Sequence, residues 1–304
     1  MGVITSGAFP KALRPGVFAF TQMNYNEHKP YFPLMFSTQT STQGYEELVS
    51  GNTFGLMPVK DENGQISYAT ESQGNVTRST HVVYAMGYAI TFEEAKDGKY
   101  EAVGKRRGAR LANSARRTKD TVGANVFNRA FNSSYTFGDG KELCATDHPS
   151  LNGDWQNELT VAVDLSEQGI EDICVLIRKA TDNVGNKANI KPKRLVYAPD
   201  EAFNATRILQ SEKQNDTANN AINALKSKGA IPEHLDNPYL TDADAWFVLT
   251  DIDAMDGLIH FENTPFSTGV DNDGDTLNEK HFGYERYSFT CGDARAVFAS
   301  GGGA

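Results

Sequence analysis

The six histidines are the residues best suited to acid–base or metal chemistry, but their spacing supports neither. They are spread along the chain with no H-x-x-x-H or H-E-x-x-H pair, the pattern that places two imidazoles on one helical face for zinc. Asp147 and His148 are adjacent, yet neighbouring side chains rarely face each other, so a hydrogen-bonded structural histidine is the stronger expectation. The sequence predicts no catalytic residue and no enzyme.

Three further patterns resemble ligand sites without meeting their requirements. Gly98–Lys105 has five residues between its glycines where a phosphate loop has four, and Arg106 replaces the magnesium-binding hydroxyl. Asp271–Asp275 begins like a calcium loop, but its glycine comes too early and Phe282 occupies the twelfth position. The sequence therefore predicts no metal and no cofactor. Three isolated cysteines without a CxxC pair indicate reduced, cytosolic thiols: Cys144, Cys174 and Cys291.

Composition excludes several classes of protein. The 304 residues are 39% hydrophobic, with 17 Phe and 12 Tyr, which suffices for one large domain or two modest ones. The net charge of −10 argues against a general nucleic-acid binder. No basic segment followed by an apolar run opens the chain, and the longest apolar stretch, residues 81–92, is too short and polar to span a bilayer. We expect no signal peptide and no membrane partner.

A long, arginine-rich helix is predicted from about Glu93 to Asn132. Its apolar residues recur with helical period at Leu111, Ala115, Val122 and Val126. The part from Tyr100 onward would be roughly 50 Å long, more than one compact core can cover. A sustained heptad repeat is missing, so an elongated fold is favoured over a coiled coil. Beside the apolar stripe lies a set that we call the arginine ridge: Arg106, Arg110 and Arg117.

The arginine ridge admits two interpretations. Clustered basic side chains on a helix can bind phosphates, which would make the protein a soluble DNA-associated or scaffold-type interaction module. Acidic residues interrupt the same element, however, and arginine binds carboxylates bidentately. Contacts with carboxylates, within the subunit or between subunits, are therefore the favoured interpretation. The acidic residues are Glu93, Glu94, Asp97, Glu101 and Asp120.

The first 45 residues combine four prolines with scattered aromatics and show no persistent period. Proline favours extended backbone, while disordered segments are usually poor in aromatics. We therefore predict an extended arm whose aromatic side chains dock on a neighbouring subunit. The candidate contacts are Phe18, Phe20 and Tyr31.

A hairpin is predicted between the arm and the long helix. Phe54–Val59 and Ile66–Thr70 would be its strands, and Asp61–Gly64 gives the turn signal. Lys60 lies beside that turn and is a further candidate for contact with a neighbour.

Ser166 is expected to cap a helix that continues to Ala180. Residues 218–228 suit either a helix or a loop–strand mixture. Strands are predicted at 82–90, 194–198, 246–249, 258–261 and within 282–297, so the class is α+β.

This order of elements resembles the major capsid proteins of tailed bacteriophages with the HK97 fold. Three segments are similar to the Mu-like major head subunit family, and the resemblance extends from about residue 80 to 265. They are Gly140–Leu143 leading to Thr146–Pro149, Leu195–Pro199 leading to Ala205–Leu209, and Asn237–Leu249.

The resemblance implies an arm at 1–45, an E-loop hairpin with flanking strands at 46–85, and a P-domain at 86–190 with a spine helix at about 94–132. An A-domain at 191–245 and return strands with a C-terminal tail at 246–304 complete the expected fold. It also implies a structural subunit that self-assembles as hexamers and pentamers into an icosahedral shell, built in the bacterial cytoplasm. Double-stranded DNA would be enclosed without sequence-specific binding, and portal, scaffolding or decoration proteins are the expected partners. Some members crosslink through a lysine in the E-loop, but Lys60 alone does not predict a crosslink.

Overall fold

The computed structural model describes residues 10–27, 29–51, 54–69, 73–97, 100–213, 221–252 and 256–301. Within these ranges the chain forms helices, two four-stranded sheets and a two-stranded hairpin, as the α+β class predicts. The helices are α1 (Pro10–Glu27), α2 (Phe92–Lys96), α3 (Tyr100–Asn128), α4 (Glu167–Lys179), α5 (Ala202–Gln210) and α6 (Ala224–Lys228).

Sheet I is built around two long antiparallel strands. Its order is β1 (Ser37–Thr40), β8 (Leu258–Asn272), β9 (Glu279–Cys291) and β4 (Val82–Ile90), with β1 parallel to β8. Along β9 the side chains alternate between buried and exposed from residue 279 to 285. The buried set faces α1 and α3, because Tyr25 and Lys119 both contact Glu285. Sheet I therefore carries the two long helices on one face.

Sheet II forms the second core. Its order is β10 (Val297–Ser300), β7 (Trp246–Thr250), β5 (Pro192–Tyr197) and β6 (Glu233–Asp236), and all five residues of β7 are buried. Helix α4 places three isoleucines against this sheet, and the Ser166 hydroxyl accepts a hydrogen bond from the Gly169 N–H at its start. The predicted cap and the β7 core strand are confirmed. Residues 224–228 are helical, and Gly229 ends α6 with φ 57°; residues 214–220 lie outside the described ranges.

The predicted spine helix is divided. A capping box at Thr91 and Glu94 begins α2, which ends at Lys96 with Asp97 as its C-cap, and α3 begins at Tyr100; residues 98 and 99 are outside the described ranges. Helix α3 ends at Asn128 rather than near residue 132, where the chain turns and the Ala130 carbonyl accepts a hydrogen bond from Cys144. Its 29 residues span about 44 Å.

The prediction of an extended arm was wrong for residues 10–27, which form helix α1. Among its described side chains, those of residues 16–27, the buried ones are Val17, Thr21 and Tyr25, spaced four residues apart. Pro10 occupies the first helical position, where its missing N–H has no intrahelical partner to lose. The first strand among the described residues is β1. Residues 1–9 lie outside the described ranges.

Two glycines of α3 allow α1 to approach closely. A Cβ at Gly104 would lie 3.0 Å from Val17 Cγ2, and one at Gly108 would overlap Thr21 Oγ1. Thr21 is fixed there, because its hydroxyl donates a hydrogen bond of 2.8 Å to the Val17 carbonyl. The packing of α1 therefore depends on two glycine positions of α3, one helical turn apart, that carry no side chain.

Gly108→Val is expected to destabilise the fold by about 1–3 kcal/mol, because the added methyl groups would force α1 away from α3. Urea unfolding would measure this loss, and hydrogen exchange would show faster exchange of the α1 amides. Gly16→Ala is the matched control, since its new Cβ meets nothing within 4 Å. It should stabilise α1 by about 0.5–1 kcal/mol. Equal stability of the Gly108→Val variant and the wild type would contradict this packing.

The hairpin strands lie outside the predicted segments. β2 (Tyr45–Gly51) pairs with β3 (Gln73–Thr80) in an antiparallel ladder, whereas residues 54–69 contain no assigned strand. The predicted turn is present, because the Gly64 N–H donates to the Asp61 carbonyl and Asn63 adopts φ 65°. The apolar alternation of 54–69 thus finds no partner strand among the described residues. Thr70 is outside them.

Candidate assembly surfaces

The hairpin tip, residues 54–69, exposes large apolar side chains. Leu56 is 84% exposed, Met57 97% and Val59 94%, so these side chains make almost no contact with the rest of the chain. Soluble monomers rarely leave such contiguous apolar surface in water. The remaining members of the group are Phe54, Ile66 and Tyr68.

The base of the hairpin, in contrast, is well anchored. The Thr77 hydroxyl accepts a hydrogen bond from the Gly138 N–H, and the Ser79 and Ser288 hydroxyls lie 2.8 Å apart. The Arg78 guanidinium lies 3.8 Å from the centre of the Tyr45 ring. Between tip and body, Asn186 donates a hydrogen bond of 3.3 Å to the Phe54 carbonyl. The hairpin is thus a projection from a fixed base.

Lys60 lies on this projection with its side chain exposed. Its ammonium donates to the Asp61 carbonyl at 3.4 Å and forms no ion pair within the described part of the chain. The predicted contact with a neighbouring subunit stays a prediction.

The basic residues of α3 other than Lys105, which pairs with Glu101, divide into three groups. Arg106, Arg110 and Arg117 of the arginine ridge are exposed and form no ion pair with any described residue. Arg107 binds Glu94 through both terminal nitrogens at 2.9 Å. Arg116 donates from Nε to the Tyr25 carbonyl and stacks over that ring at 3.8 Å. The third group is Lys119 alone, which is buried.

The aromatic residues proposed for neighbour contacts all lie against their own chain. Phe18 packs edge-on against His281 with a centroid distance of 5.8 Å, and Lys105 Nζ lies 5.9 Å from the Phe20 ring centre. Tyr31 packs edge-on against Tyr239 at 5.9 Å. Their additional role between subunits stays a prediction.

A buried charge cluster joins α1, α3 and sheet I. Lys119 Nζ lies 3.1 Å from Glu285 Oε2 and 3.2 Å from Glu262 Oε1, and the side chain is only 1% exposed. Tyr25 donates its hydroxyl to the same Glu285 oxygen at 3.2 Å. Burial raises the pKa of Glu285 despite the neighbouring ammonium. The sequence did not predict this cluster, because a lysine in a helical pattern gives no sign of burial.

Asp120 fixes the segment that follows α1. One of its carboxylate oxygens accepts hydrogen bonds from the Tyr31 N–H at 2.8 Å and the Phe32 N–H at 3.1 Å. Phe32 in turn packs on Phe289 and His260 of sheet I. The adjacent residues Lys119 and Asp120 therefore tie two parts of the N-terminal region to α3.

His260 is expected to make the subunit sensitive to acid. Burial and the nearby Lys119 lower its pKa to about 3. The unfolded chain would bind a proton near pH 6.5 and the native state would not, so stability falls by about 1.4 kcal/mol per pH unit below that value. Between pH 7 and pH 5, His260→Phe should lose about 2 kcal/mol less than the wild type in urea unfolding. Equal losses would show that His260 is protonated in the native state.

Comparison with known proteins decides the family. A family profile described as phage capsid protein matches residues 75–300, about three quarters of the sequence. The chain belongs to the phage capsid protein family. A comparison with curated proteins finds no match. The match is at the level of phage capsid proteins, so the Mu-like assignment stays a prediction.

Several solved capsid structures are similar to this capsid protein in fold. The capsid of a native GTA particle superposes with a TM-score of 0.54 at 12% identity, covering 100% of this chain and 93% of that one. Mycobacterium phage Patience gives 0.54 at 11% identity, covering 97% and 88%. The bacteriophage JBD30 capsid decorated with minor capsid protein trimers gives 0.53 at 12% identity, covering 70% and 92%. The HK97-like α+β fold is confirmed.

The capsid protein is a structural subunit of a phage capsid, as its family shows. The alternative of a DNA-associated module is not favoured. No helix among the described residues is both long and apolar enough to cross a bilayer.

His148 has the structural role predicted for it, although with other partners. Its Nδ1 lies 2.7 Å from Asp139 and its Nε2 lies 2.9 Å from Asn157, while Asp147 pairs with Lys141. The imidazole is fully buried and stacks on Trp155. Through these contacts His148 stabilises the loop that follows α3.

Proposed function

We propose that the capsid protein assembles as hexamers and pentamers into a shell that encloses double-stranded DNA, built in the cytoplasm of the bacterial host. The observation that carries this proposal is the exposed apolar hairpin tip. Burying its side chains in a neighbour would gain roughly 1.5–3 kcal/mol for each large one. Copies that cover one another's tips remove this exposed surface, which favours a closed assembly.

The proposed division of the chain follows the predicted domains. The hairpin corresponds to an E-loop at 46–85 that reaches a neighbour, and α3 with sheet I forms the P-domain. Strands β5 and β6 of sheet II, which lie between residues 191 and 245, correspond to an A-domain near the capsomer centre. The segment 246–304 returns through both sheets. Within the proposed arm, residues 10–27 form the docked helix α1, and the strand β1 follows at residues 37–40.

The role of a shell that encloses DNA also indicates which partners we propose. A closed shell needs a portal for DNA, and scaffolding or decoration proteins are further candidates. One similar structure is a capsid decorated with minor capsid protein trimers. The enclosed DNA would meet the shell without sequence-specific contacts, which suits an acidic subunit of net charge −10.

Neutralising the arginine ridge is expected to weaken assembly. Arg106→Gln, Arg110→Gln and Arg117→Gln in one variant would remove three exposed cations that lack ion pairs among the described residues, while stability changes by less than about 0.5 kcal/mol. Light scattering should show slower shell formation and a weaker response to salt. The matched control, Arg178→Gln, changes an arginine on α4 whose side chain donates to the Ile190 carbonyl.

Sedimentation of the purified, nucleic-acid-free chain tests the proposal. A capsid subunit should form fast-sedimenting particles or rings as its concentration rises. A stable monomer that binds DNA with a steep salt dependence would instead support the DNA-associated module. The triple arginine variant separates the cases further, because loss of DNA affinity without an effect on assembly would assign the ridge to nucleic acid.

A further inference from the structure

A cavity of about 200 Å³ lies between sheet I and helix α3. Liquid water occupies about 30 Å³ per molecule, so the cavity has room for about six groups of that size. Most of its wall is apolar, and this part consists of Tyr84, Met86, Leu111, Ala115 and Phe266. The cavity is therefore large enough for a small organic molecule and is suited to a hydrocarbon chain.

Glu285 is the only charged residue among the described residues that line this cavity. Its side chain is 2% exposed, and its Oε2 atom is occupied by Lys119 at 3.1 Å and Tyr25 at 3.2 Å. The other oxygen, Oε1, is buried and makes no hydrogen bond with any described residue. Because a buried acceptor without a donor is costly, the wall of the cavity contains an oxygen that requires a hydrogen-bond donor.

The charges around Glu285 favour a cationic donor over a neutral one. Lys119 is a single ammonium that faces two carboxylates, those of Glu285 and Glu262, so this group of three carries one net negative charge. The next cation, Arg116, donates to the Tyr25 carbonyl and lies over that ring. Burial still raises the pKa of Glu285, which indicates that its charge is incompletely compensated.

The rest of the wall favours an organic cation over a metal ion. A metal such as calcium takes six to eight oxygen ligands, whereas Glu285 is the only carboxylate here. No group of three metal-binding side chains is found in the described part of the chain. The Tyr84 and Phe266 rings, in contrast, suit an ammonium with a hydrocarbon tail, because aromatic faces attract cations and the methylene groups are removed from water.

We propose that this cavity binds a small primary alkylammonium ion. The ammonium donates to Glu285 Oε1, and the alkyl chain lies along Tyr84 and Phe266. Such a ligand would supply both the missing donor and the missing positive charge. The inference goes beyond the proposed assembly function and does not depend on it.

The arginine ridge should weaken this binding. Arg110 and Arg117 border a groove that shares Ser114 and Thr118 with the cavity wall, so two exposed cations stand near the opening. They repel an approaching ammonium, most strongly at low salt. We therefore expect a dissociation constant on the order of 1 mM for a ligand of five heavy atoms. The triple variant with Arg106→Gln, Arg110→Gln and Arg117→Gln should bind it more tightly.

Ligand-observed NMR titration of the full, nucleic-acid-free chain with n-butylammonium chloride tests the site. Sodium chloride at equal ionic strength controls for salt, and n-butyramide is the neutral compound of similar length. Glu285→Gln removes the negative charge. Ser114→Leu fills the cavity from α3 without changing the carboxylate. Asn113→Leu is its matched control, because Asn113 lines the outer groove but not the cavity.

Saturable binding of n-butylammonium at one site, at least about tenfold tighter than that of n-butyramide, is expected. Glu285→Gln and Ser114→Leu should each weaken it at least about tenfold, and Asn113→Leu should leave it unchanged. Absence of saturable binding, equal binding of the two compounds, or wild-type affinity in Ser114→Leu would overturn the proposal. If circular dichroism shows that Glu285→Gln is unfolded, the comparison of Ser114→Leu with Asn113→Leu still decides.

Discussion

Replacing Leu56 and Met57 by aspartate is expected to abolish shell formation while the subunit stays folded. Both side chains are more than four-fifths exposed, so their replacement removes almost no contact within the subunit. In the assembled state each would place a carboxylate in an apolar interface, which costs several kcal/mol at every contact. In the proposed shell each subunit offers one tip and receives another, so the penalty is repeated throughout the shell.

Sedimentation measures whether the variant assembles, and circular dichroism measures whether its subunit stays folded. The variant should remain small at concentrations where the wild type forms particles, with an unchanged spectrum and unfolding midpoint. Leu151→Asp is the matched control, since that leucine is 72% exposed but lies outside the hairpin. Normal particles from the Leu56→Asp/Met57→Asp chain would remove the tip from the assembly interface.

Lys119→Met is expected to cost about 3–5 kcal/mol of folding stability at pH 7, because it leaves the Glu285 carboxylate buried without its cation. Glu262 is 29% exposed and can be hydrated, whereas Glu285 is 2% exposed and cannot. Protonation relieves an unpaired carboxylate. Its native-state pKa then lies above the unfolded value, so stability of the variant falls as pH rises through that window.

A double variant separates the charge from the packing. Lys119→Met with Glu285→Gln should recover most of the lost stability, since no buried unpaired charge remains. The single Lys119→Met variant should also lose less, relative to wild type, at pH 5 than at pH 7. Urea unfolding at both values measures this. A loss that is independent of pH and unrecovered by Glu285→Gln would mean that Lys119 acts by volume alone.

Local sequence signals predicted the regular parts of the fold. The Ser166 cap and the strand at 246–249 each follow from residues close together in sequence, and each is found. Helix α1 was missed because its stability depends on a distant partner. The buried face of its described part includes the polar Thr21, and it docks on α3 at Gly108 and Gly104.

The candidate surfaces could be predicted only in part. The turn at Asp61–Gly64 was evident, but the pairing strands were misplaced because the apolar alternation of the tip is stronger than that of the true strands. The alternating apolar side chains of the tip find no packing partner among the described residues of the subunit, as expected for a surface that contacts a neighbouring subunit. Burial of Lys119 could not be read from its position, since the partner Glu285 is more than 160 residues away in sequence.

Electron microscopy of the purified, nucleic-acid-free capsid protein tests the central claim most directly. The proposed function predicts closed shells with icosahedral symmetry, or hexameric and pentameric rings, in which each hairpin tip lies against another subunit. A protein that remains monomeric at high concentration, with its tip still in solvent, would contradict it.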